Sequence, residues 1–168
     1  MVRAAVVDDA EACAAIYAPY VTDTVISFET EPPSVSEMAG RMAASVAWFV
    51  LEDAGRVVGY AYASPFHARA AYRWSVEVSV YLEMGRRRSG AGRALYSVLL
   101  EDLRVRGYRN AMGGMTLPNA ASEGLHRALG FELVGVYRRV GYKNGSWWDV
   151  AWTQKVLASG SGEPSEPV

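Results

Sequence analysis

The chain has 168 residues, with 17 Lys and Arg against 18 Asp and Glu and a formal net charge of −1. This length suits one buried core better than two, and the near-zero charge provides no overall field for binding a polyanion, so we expect one domain and no nucleic-acid partner. A single cysteine excludes an intrachain disulfide, and two histidines argue against a metal centre, so we expect no metal and a reducing, cytoplasmic setting.

The chain begins with a predicted short strand, VRAAVV, and a predicted helix. Asp8 and Glu11 form the pattern of a capping box ahead of an apolar face at Cys13, Ile16, Tyr17 and Tyr20. The apolar run before Asp8 is too short for a signal peptide, and no uncharged run approaches the length of a membrane span. We therefore expect no membrane association.

A second helix and a hairpin follow. Pro32 and Pro33 precede Ser34, which predicts the start of a short amphipathic helix running to about Val46. The runs WFVLED and RVVGYAYAS flank Ala54-Gly55, which predicts two antiparallel strands joined by a tight turn.

The periodicity then changes from two residues to that of a helix. In WSVEVSVYL, apolar residues alternate with Glu77, Ser79 and Tyr81, which predicts a strand. From Gly90 onward, an apolar stripe with helical spacing predicts a helix, and Gly107 is its expected C-terminal cap. The stripe consists of Tyr96, Leu99, Leu100 and Leu103. A glycine-rich turn therefore joins a strand to a helix.

The last third of the chain predicts a strand, a helix and a hairpin. NAMGGMT is the strand, and LPNAASEGLHRALGF is a helix with Asn119 as N-cap and Gly130 as terminator. Its predicted core face consists of Ala121, Leu125 and Ala128. FELVGVYRRVGY and SWWDVAWTQKVL form two strands around Asn144-Gly145, a strong hairpin signal.

This order of elements predicts an α/β fold with a mixed sheet and helices on its faces. We assign residues 1–157 to a single domain. Residues 158–168, ASGSGEPSEPV, have no periodic apolar face, so we expect a disordered C-terminal tail.

The glycine-rich turn, RRRSGAG at residues 86–92, suits phosphate binding. A helix N-terminus offers unpaired N–H groups and a positive dipole end, and glycine lets a phosphate approach the main chain. A nucleoside-triphosphate loop is excluded because Ala91-Gly92 stand where Lys-Ser/Thr is required. A dinucleotide loop is excluded because Leu95 stands where a third small residue is required.

The segment from Arg87 to Gly92 resembles the pyrophosphate loop of the Gcn5-related N-acetyltransferases, Gln/Arg-x-x-Gly-x-Gly/Ala. The alternative is a solvated turn between a strand and a helix. Four longer blocks resemble the phosphinothricin and methionine sulfoximine acetyltransferase branch of that superfamily: IYAPYVTDTVISFETEPP, PFHARAAYRWSVEVSVYL, TLPNAASEGLHRALGF and GYKNGSWWDVAWTQ. They cover nearly the whole chain apart from the tail.

The resemblance implies the acyl-CoA N-acyltransferase fold, a mostly antiparallel mixed sheet flanked by about four helices. It implies a homodimer that transfers acetyl from acetyl-CoA, as co-substrate, to the α-amine of a small amino acid or analogue. The residues it implies for binding acetyl-CoA are Val80, Tyr81, Leu82, Arg87, Arg88, Ser89, Gly90, Ala91, Gly92, Arg93 and Asn119.

The resemblance also implies two catalytic residues. Glu77 is the implied base, against the alternative of a solvated strand glutamate. His126 stands where the wider superfamily commonly has a proton-donating tyrosine; imidazole titrates near neutral pH and serves as acid or base, and the alternative is a helix-surface histidine. No Cys or Ser is placed as a nucleophile, which favours direct transfer.

The acceptor-binding residues implied by the resemblance are Phe28, Arg69, Tyr72 and Arg73, with Trp147 a further candidate. An arginine fork suits a carboxylate or a phosphinate. The sequence departs from the branch at Trp148, which often is histidine there, and at His67, which often is lysine. These departures leave two alternatives open: the same fold acetylating a protein N-terminus, a polyamine or an antibiotic amine, or a non-catalytic acyl-CoA-binding module.

Overall fold

A computed structural model of the protein describes residues 1–86 and 90–168. Within these residues, seven strands form one sheet with four α-helices. The strands are β1 (Val2–Ala4), β2 (Ala47–Asp53), β3 (Arg56–Pro65), β4 (Ser75–Leu82), β5 (Asn110–Leu117), β6 (Glu132–Lys143) and β7 (Ser146–Val156). The helices are α1 (Ala10–Thr22), α2 (Val35–Ala44), α3 (Ala91–Val105) and α4 (Ala120–Ala128), and none of the helices described is long and apolar enough to cross a bilayer.

The strands follow the order β1-β2-β3-β4-β5-β7-β6 across the sheet. The pair β4 and β5 is parallel, and every other neighbouring pair is antiparallel. The predicted order of elements and the predicted mixed, mostly antiparallel sheet are both confirmed.

The sheet opens into a fork between β4 and β5. These strands pair only where residues 75–77 face residues 110–112, although β4 continues to Leu82 and β5 to Leu117. Beyond Glu77 the two strands diverge. The edge of β4 that faces away from β3 therefore carries backbone groups that β5 does not pair, over residues 78–82.

Alternation along β4 supplies side chains to two separate cores. Val76 and Val78 pack with Leu95, Tyr96 and Leu99 beneath α3. Tyr81, on the opposite face, packs against the core formed by α1, α2, β2 and β3, whose buried residues include Cys13, Val21, Met38, Trp48 and Tyr60. Because side chains alternate along a strand, Glu77 and Ser79 share the face of Tyr81.

Most of the predicted start and stop signals are confirmed. The Ser34 hydroxyl accepts the Glu37 N–H at 3.2 Å, while Glu37 Oε2 accepts the Ser34 N–H at 2.7 Å, so α2 begins with a capping box. Asn144 and Gly145 have φ angles of 51° and 77°, as expected for a two-residue hairpin turn. Gly107 and Gly130 end α3 and α4 with positive φ.

The predicted capping box of Asp8 and Glu11 is wrong. A 3₁₀ turn over Val7–Asp9 precedes α1, and the Asp9 carboxylate accepts the Val6 N–H at 2.8 Å. Asp9 also forms an ion pair with Arg3 at 2.8 Å. Asp9 takes the capping position instead of Asp8 because it can also pair with Arg3 of β1. The spacing of residues around Asp8 does not reveal this ion pair.

The predicted core face of α4 is also wrong at two positions. Ala121 and Ala128 are exposed, and the residues that turn inward are Ser122, Leu125, His126 and Leu129. The helix is rotated because Gly113 of β5 leaves room for an imidazole: a Cβ at Gly113 would lie 2.5 Å from His126 Nε2. His126 thereby becomes part of the interior.

Residues 158–168 contain neither helix nor strand, and their C-terminal end contacts the domain. Glu166 forms an ion pair with Arg73 at 2.5 Å, and the Ser165 carbonyl accepts the Trp74 indole N–H at 2.8 Å. The Val168 N–H donates to the Arg106 carbonyl at 3.0 Å. The disorder expected for this tail stays a prediction.

Candidate active site

The fork between β4 and β5 opens into a cleft of about 830 Å³. Its walls are the free edge of β4, the end of β5, the first turns of α3 and α4, and the residues after α1. The residues lining it include Tyr20, Ile26, Ser79, Val80, Tyr81, Leu82, Gly90, Ala91, Gly92, Arg93, Tyr96, Gly114, Asn119, Leu125 and His126. The cleft thus brings together most of the residues that the sequence implied for acetyl-CoA binding.

The glycine turn forms one end of this cleft. Gly90 is the N-cap of α3 and has φ of 76°, a left-handed conformation that glycine adopts without strain. A Cβ at Gly92 would lie 3.2 Å from Leu125, so glycine lets α3 and α4 approach. N–H groups in the first turn of a helix have no partner within it, which makes this end suited to an anion. Arg87, Arg88 and Ser89 lie outside the described residues.

The free edge of β4 forms the long wall of the cleft. Val80, Tyr81 and Leu82 all line it. The Tyr20 hydroxyl donates to the Leu82 carbonyl at 2.7 Å, which fixes α1 against the end of the strand. Arg86 forms ion pairs with Asp53 at 2.9 Å and Glu83 at 3.1 Å beside this strand end.

Asn119 lines the cleft and also caps α4. Its Oδ1 accepts the Ser122 N–H at 3.1 Å, as the sequence predicted for an N-cap. The residue therefore sets where α4 begins, and with it the position of His126 two turns later.

His126 is only 3% exposed, so the alternative of a surface histidine is wrong. Its Nδ1 lies 2.8 Å from the Ser122 carbonyl, which only accepts, so Nδ1 carries the proton in the neutral ring. Nε2 is buried and has no hydrogen-bond partner among the described residues. Burial lowers the pKa of His126. The structure therefore presents a neutral imidazole whose Nε2 holds a lone pair.

Glu77 is half-buried on the sheet face opposite to His126, at the last pair before β4 and β5 diverge. Burial raises the pKa of its carboxyl group, and the nearby His67 opposes that rise. The alternative of a fully solvated strand glutamate does not fit this burial. A carboxylate with a raised pKa is a better proton acceptor than an exposed one.

The loop before β4 carries three of the predicted acceptor residues. Arg69 and Arg73 line a second cavity of about 390 Å³, together with His67 and Pro167 of the tail. The Tyr72 ring lies edge-on to His67, with ring centroids 4.8 Å apart. Arg73 is paired with Glu166, so the tail occupies a side chain that the sequence assigned to the acceptor.

Phe28 and Trp147, the other predicted acceptor residues, lie at the β6–β7 hairpin. A side chain at Gly141 of β6 would collide with the Phe28 ring, so the two residues are in close contact. Trp147 is 52% exposed and packs edge-on against Tyr142, with centroids 5.3 Å apart. The Phe28 ring is thus held against β6.

Sequence reasoning missed one residue that lines the cleft and one buried lysine near Phe28. Tyr96 lines the cleft, although its place in a leucine stripe predicted a core residue. Lys143 is 8% exposed, and its Nζ donates to the carbonyls of Val21 and Ser27. Two features of the sequence could have pointed to them: Tyr96 is a single tyrosine within a leucine stripe, and Lys143 directly precedes the Asn144-Gly145 turn. In the described residues, no cluster of His, Cys, Asp and Glu is arranged to hold a metal ion.

The fold and cleft belong to the acetyltransferase class of proteins. Residues 2–152 match the family model described as an acetyltransferase (GNAT) domain, so the chain is a member of this family. This confirms the family resemblance seen in the sequence.

Three comparisons narrow the position of the chain within the family. It is 37% identical over 157 residues to phosphinothricin N-acetyltransferase from Streptomyces viridochromogenes, covering 92% of this chain and 86% of the relative. It is 34% identical to the L-methionine sulfoximine/L-methionine sulfone acetyltransferase of Pseudomonas aeruginosa, covering 91% and 92%. A crystal structure of the Sinorhizobium meliloti phosphinothricin acetyltransferase in complex with AcCoA superposes with a TM-score of 0.94 at 39% identity, covering 99% and 93%.

Proposed function

We propose that this protein transfers an acetyl group from acetyl-CoA directly to the α-amine of a small amino acid or analogue, of the phosphinothricin, methionine sulfoximine or methionine sulfone type. The observation that carries the proposal is the forked cleft, which has a glycine-capped helix start at one end and His126 inside it. The named relatives act on substrates of this type and support the choice of acceptor.

The cleft fits acetyl-CoA in shape and chemistry. The first turn of α3, beginning at Gly90, would bind the pyrophosphate through backbone N–H groups, with Arg93 beside it. The edge of β4 that β5 does not cover, at Val80, Tyr81 and Leu82, would bind the pantetheine amides as an added strand does. Holding both reactants in place supplies up to roughly 7–11 kcal/mol of the barrier reduction in favourable cases.

Glu77 supplies the base in this proposal. An α-amine with a pKa near 8 is about one-tenth neutral at pH 7, so a nearby proton acceptor increases the reactive fraction and removes the proton as the C–N bond forms. The raised pKa of Glu77 suits this role, directly or through one water. His126 is held neutral beside the cleft by the contact of its Nδ1–H with the Ser122 carbonyl, and its enclosed Nε2 makes no hydrogen bond with the described residues.

Arg69 and Arg73 supply cations for the acceptor in this proposal. A planar guanidinium pairs with a carboxylate or phosphinate through two parallel hydrogen bonds. Both arginines line one cavity, and Tyr72 lies in the same loop, with its ring on His67. Phe28 contributes from the side of the β6–β7 hairpin.

We further propose that the protein acts as a homodimer in the cytoplasm. Seven large apolar side chains on β6 and β7 are each more than half exposed: Leu133, Val134, Tyr137, Val140, Tyr142, Trp147 and Val156. Clustered exposed apolar side chains of this kind mark interaction surfaces. Sedimentation analysis should give a dimer for the wild type and a monomer for Tyr137→Glu; a wild-type monomer at micromolar concentration would contradict this proposal.

The proposed reaction is tested by measuring CoA release with a panel of amines. We expect turnover with methionine sulfone, methionine sulfoximine or phosphinothricin, and little with spermidine or an N-terminal peptide. Turnover only with the peptide would assign the protein to protein N-terminal acetylation. Binding of acetyl-CoA with no release on any amine would indicate a non-catalytic acyl-CoA-binding module.

A further inference from the structure

Tyr96 is a tyrosine in a buried stripe of leucines on α3, and it lies at the base of the fork. It is 1% exposed and packs in the core with Leu95, Leu99 and Val78. It also lines the cleft, together with Ser79, Gly114 and His126. A buried tyrosine in a core usually pairs its hydroxyl with a polar partner.

The Tyr96 hydroxyl makes no hydrogen bond with any residue that the structure describes. Among the described residues, two side-chain nitrogen or oxygen atoms are both fully enclosed and without a hydrogen-bond partner, namely Trp48 Nε1 and His126 Nε2. The Tyr96 oxygen has no partner in this part of the chain and is not one of these two atoms, so it is not fully enclosed. Because Tyr96 lines the cleft, we infer that its hydroxyl opens into it. The hydroxyl is thus positioned as a donor for a bound ligand.

Electrostatics keep this hydroxyl protonated. Burial raises the pKa of Tyr96, and Tyr62 and Glu77 raise it further. The Tyr96 ring lies edge-on to the His126 ring, with centroids 5.5 Å apart. It stacks with the Phe131 ring, with centroids 6.3 Å apart.

His126 is poorly suited to donate a proton in this arrangement. Its Nδ1–H is used by the Ser122 carbonyl, and its Nε2 holds a lone pair in the neutral ring. Of these two side chains, the Tyr96 hydroxyl is therefore the one that can donate a hydrogen bond into the cleft. A departing thiolate requires a donor.

We propose that the Tyr96 hydroxyl donates a hydrogen bond to the sulfur of coenzyme A as the thiolate leaves. This rests on the proposed acetyl transfer. The amine nitrogen forms the C–N bond, the C–S bond breaks with its electron pair going to sulfur, and the proton lost by nitrogen goes to the Glu77 carboxylate. Tyr96 keeps its proton, because a phenol with a raised pKa is a weaker acid than a thiol, whose ordinary pKa is about 8.5. Water then returns the proton from Glu77 to the thiolate.

The two faces of the sheet divide the work in this proposal. Glu77 acts on the amine from the face covered by α1 and α2, and Tyr96 acts on sulfur from the face covered by α3. The fork joins the two faces at the point where β4 and β5 stop pairing. In this proposal, Glu77 accepts the proton of the amine from one face of the sheet, and Tyr96 donates to the departing sulfur from the other face.

The direct test measures the pKa of the thiol of bound coenzyme A from the ultraviolet absorbance of the thiolate. Tyr96→Phe removes only the hydroxyl, and Tyr60→Phe is the matched control because Tyr60 is also 1% exposed but lies in the other core. We expect the bound thiol to titrate roughly one unit higher in Tyr96→Phe than in the wild type, with Tyr60→Phe unchanged. Equal titration in all three proteins would overturn the proposal.

Kinetics provide a second readout. We expect Tyr96→Phe to lower kcat by roughly 10- to 100-fold, with KM for acetyl-CoA within twofold and a melting temperature like that of Tyr60→Phe. Unchanged kcat would also overturn the proposal. The thiol titration needs no acceptor, so it tests Tyr96 even if every amine in the panel proves inactive, which would be a failure of the proposed function instead.

Discussion

Lys143 is a buried cation that ties the segment after α1 to the β6–β7 hairpin. Its Nζ donates to the Val21 carbonyl at 2.6 Å and to the Ser27 carbonyl at 2.7 Å. Burial lowers the pKa of Lys143, and the nearby Glu29 opposes that change. Phe28 follows Ser27 directly, so this single side chain helps to fix an aromatic ring assigned to the acceptor.

We predict that Lys143→Met lowers the free energy of unfolding by about 2 kcal/mol, because two carbonyls lose their donor. The acceptor KM should rise while the KM for acetyl-CoA stays near the wild-type value. Urea unfolding and steady-state kinetics check both effects. Lys155→Met is the control, and an equal loss of stability in both variants would contradict the assigned role.

Glu77 links activity to pH. Since burial raises its pKa, the acid limb of kcat/KM should lie above the ordinary range of a glutamate, and activity should rise as the carboxyl loses its proton. Glu77→Gln should lower kcat/KM by roughly 10²- to 10⁴-fold and remove that limb. A pH–rate profile of both proteins measures this.

The same substitution should stabilise the fold at neutral pH. A pKa that is higher in the folded than in the unfolded protein contributes stability below the unfolded pKa, and this is lost as the pH rises through the folded pKa. Glu77→Gln removes the buried charge, so its melting temperature at pH 7 should exceed that of the wild type. Glu132→Gln, exposed at the start of β6, should change neither property. A lower melting temperature for Glu77→Gln would argue against a strained carboxylate.

At the scale of elements, the start of α3 depends on one glycine conformation. Gly90 and Gly55 have the same φ of 76°, and a Cβ added to either would have no atom within 4 Å among the described residues outside its own surroundings in the chain. Alanine at either position should therefore cost about 1 kcal/mol from backbone strain alone. Of these two glycines, Gly90 lines the cleft and Gly55 does not.

We predict that Gly90→Ala weakens acetyl-CoA binding at least tenfold, while Gly55→Ala leaves it unchanged at a similar loss of stability. The reason is that a small rotation at Gly90 redirects the N–H groups proposed to bind the pyrophosphate. Titration calorimetry and thermal unfolding separate the two effects. If both variants bind acetyl-CoA equally well, the glycine turn is not the phosphate site.

The helices and strands were predictable because their signals are local. The alternation in β4, the Ser34 cap and the Asn144-Gly145 turn each depend on residues within a few positions. The rotation of α4 was not predictable in this way. It depends on Gly113, a residue of another strand, which leaves space for His126.

At the scale of the whole molecule, the tail reaches the cavity that carries the arginines proposed to bind the acceptor. Glu166 pairs with Arg73, and Pro167 lines the cavity that also contains Arg69. An exposed ion pair contributes little stability, so this contact matters through the arginine that it occupies. A carboxylate of the acceptor would compete with Glu166 for the same guanidinium.

Deletion of residues 158–168 should therefore lower the acceptor KM by roughly two- to fivefold, as expected for loss of a competing surface ion pair of up to about 1 kcal/mol. Glu166→Gln should reproduce most of the effect, and Glu163→Gln should not. Kinetics with an acidic acceptor at low ionic strength provide the measurement. Identical KM values for the full chain and the deletion would favour the disordered tail expected from the sequence.

The sequence by itself determined the order of the elements, the caps and turns between them, the family and the residues at the glycine turn, because each of these is a property of neighbouring residues or of one contiguous motif. The tertiary structure alone decided that β4 and β5 pair over only three residues, that His126 is buried with no partner for Nε2 among the described residues, and that Tyr96 lines the cleft. These features depend on where β4 and β5 diverge and on Gly113, a residue of another strand that leaves room for His126. The periodicity of the sequence does not indicate either.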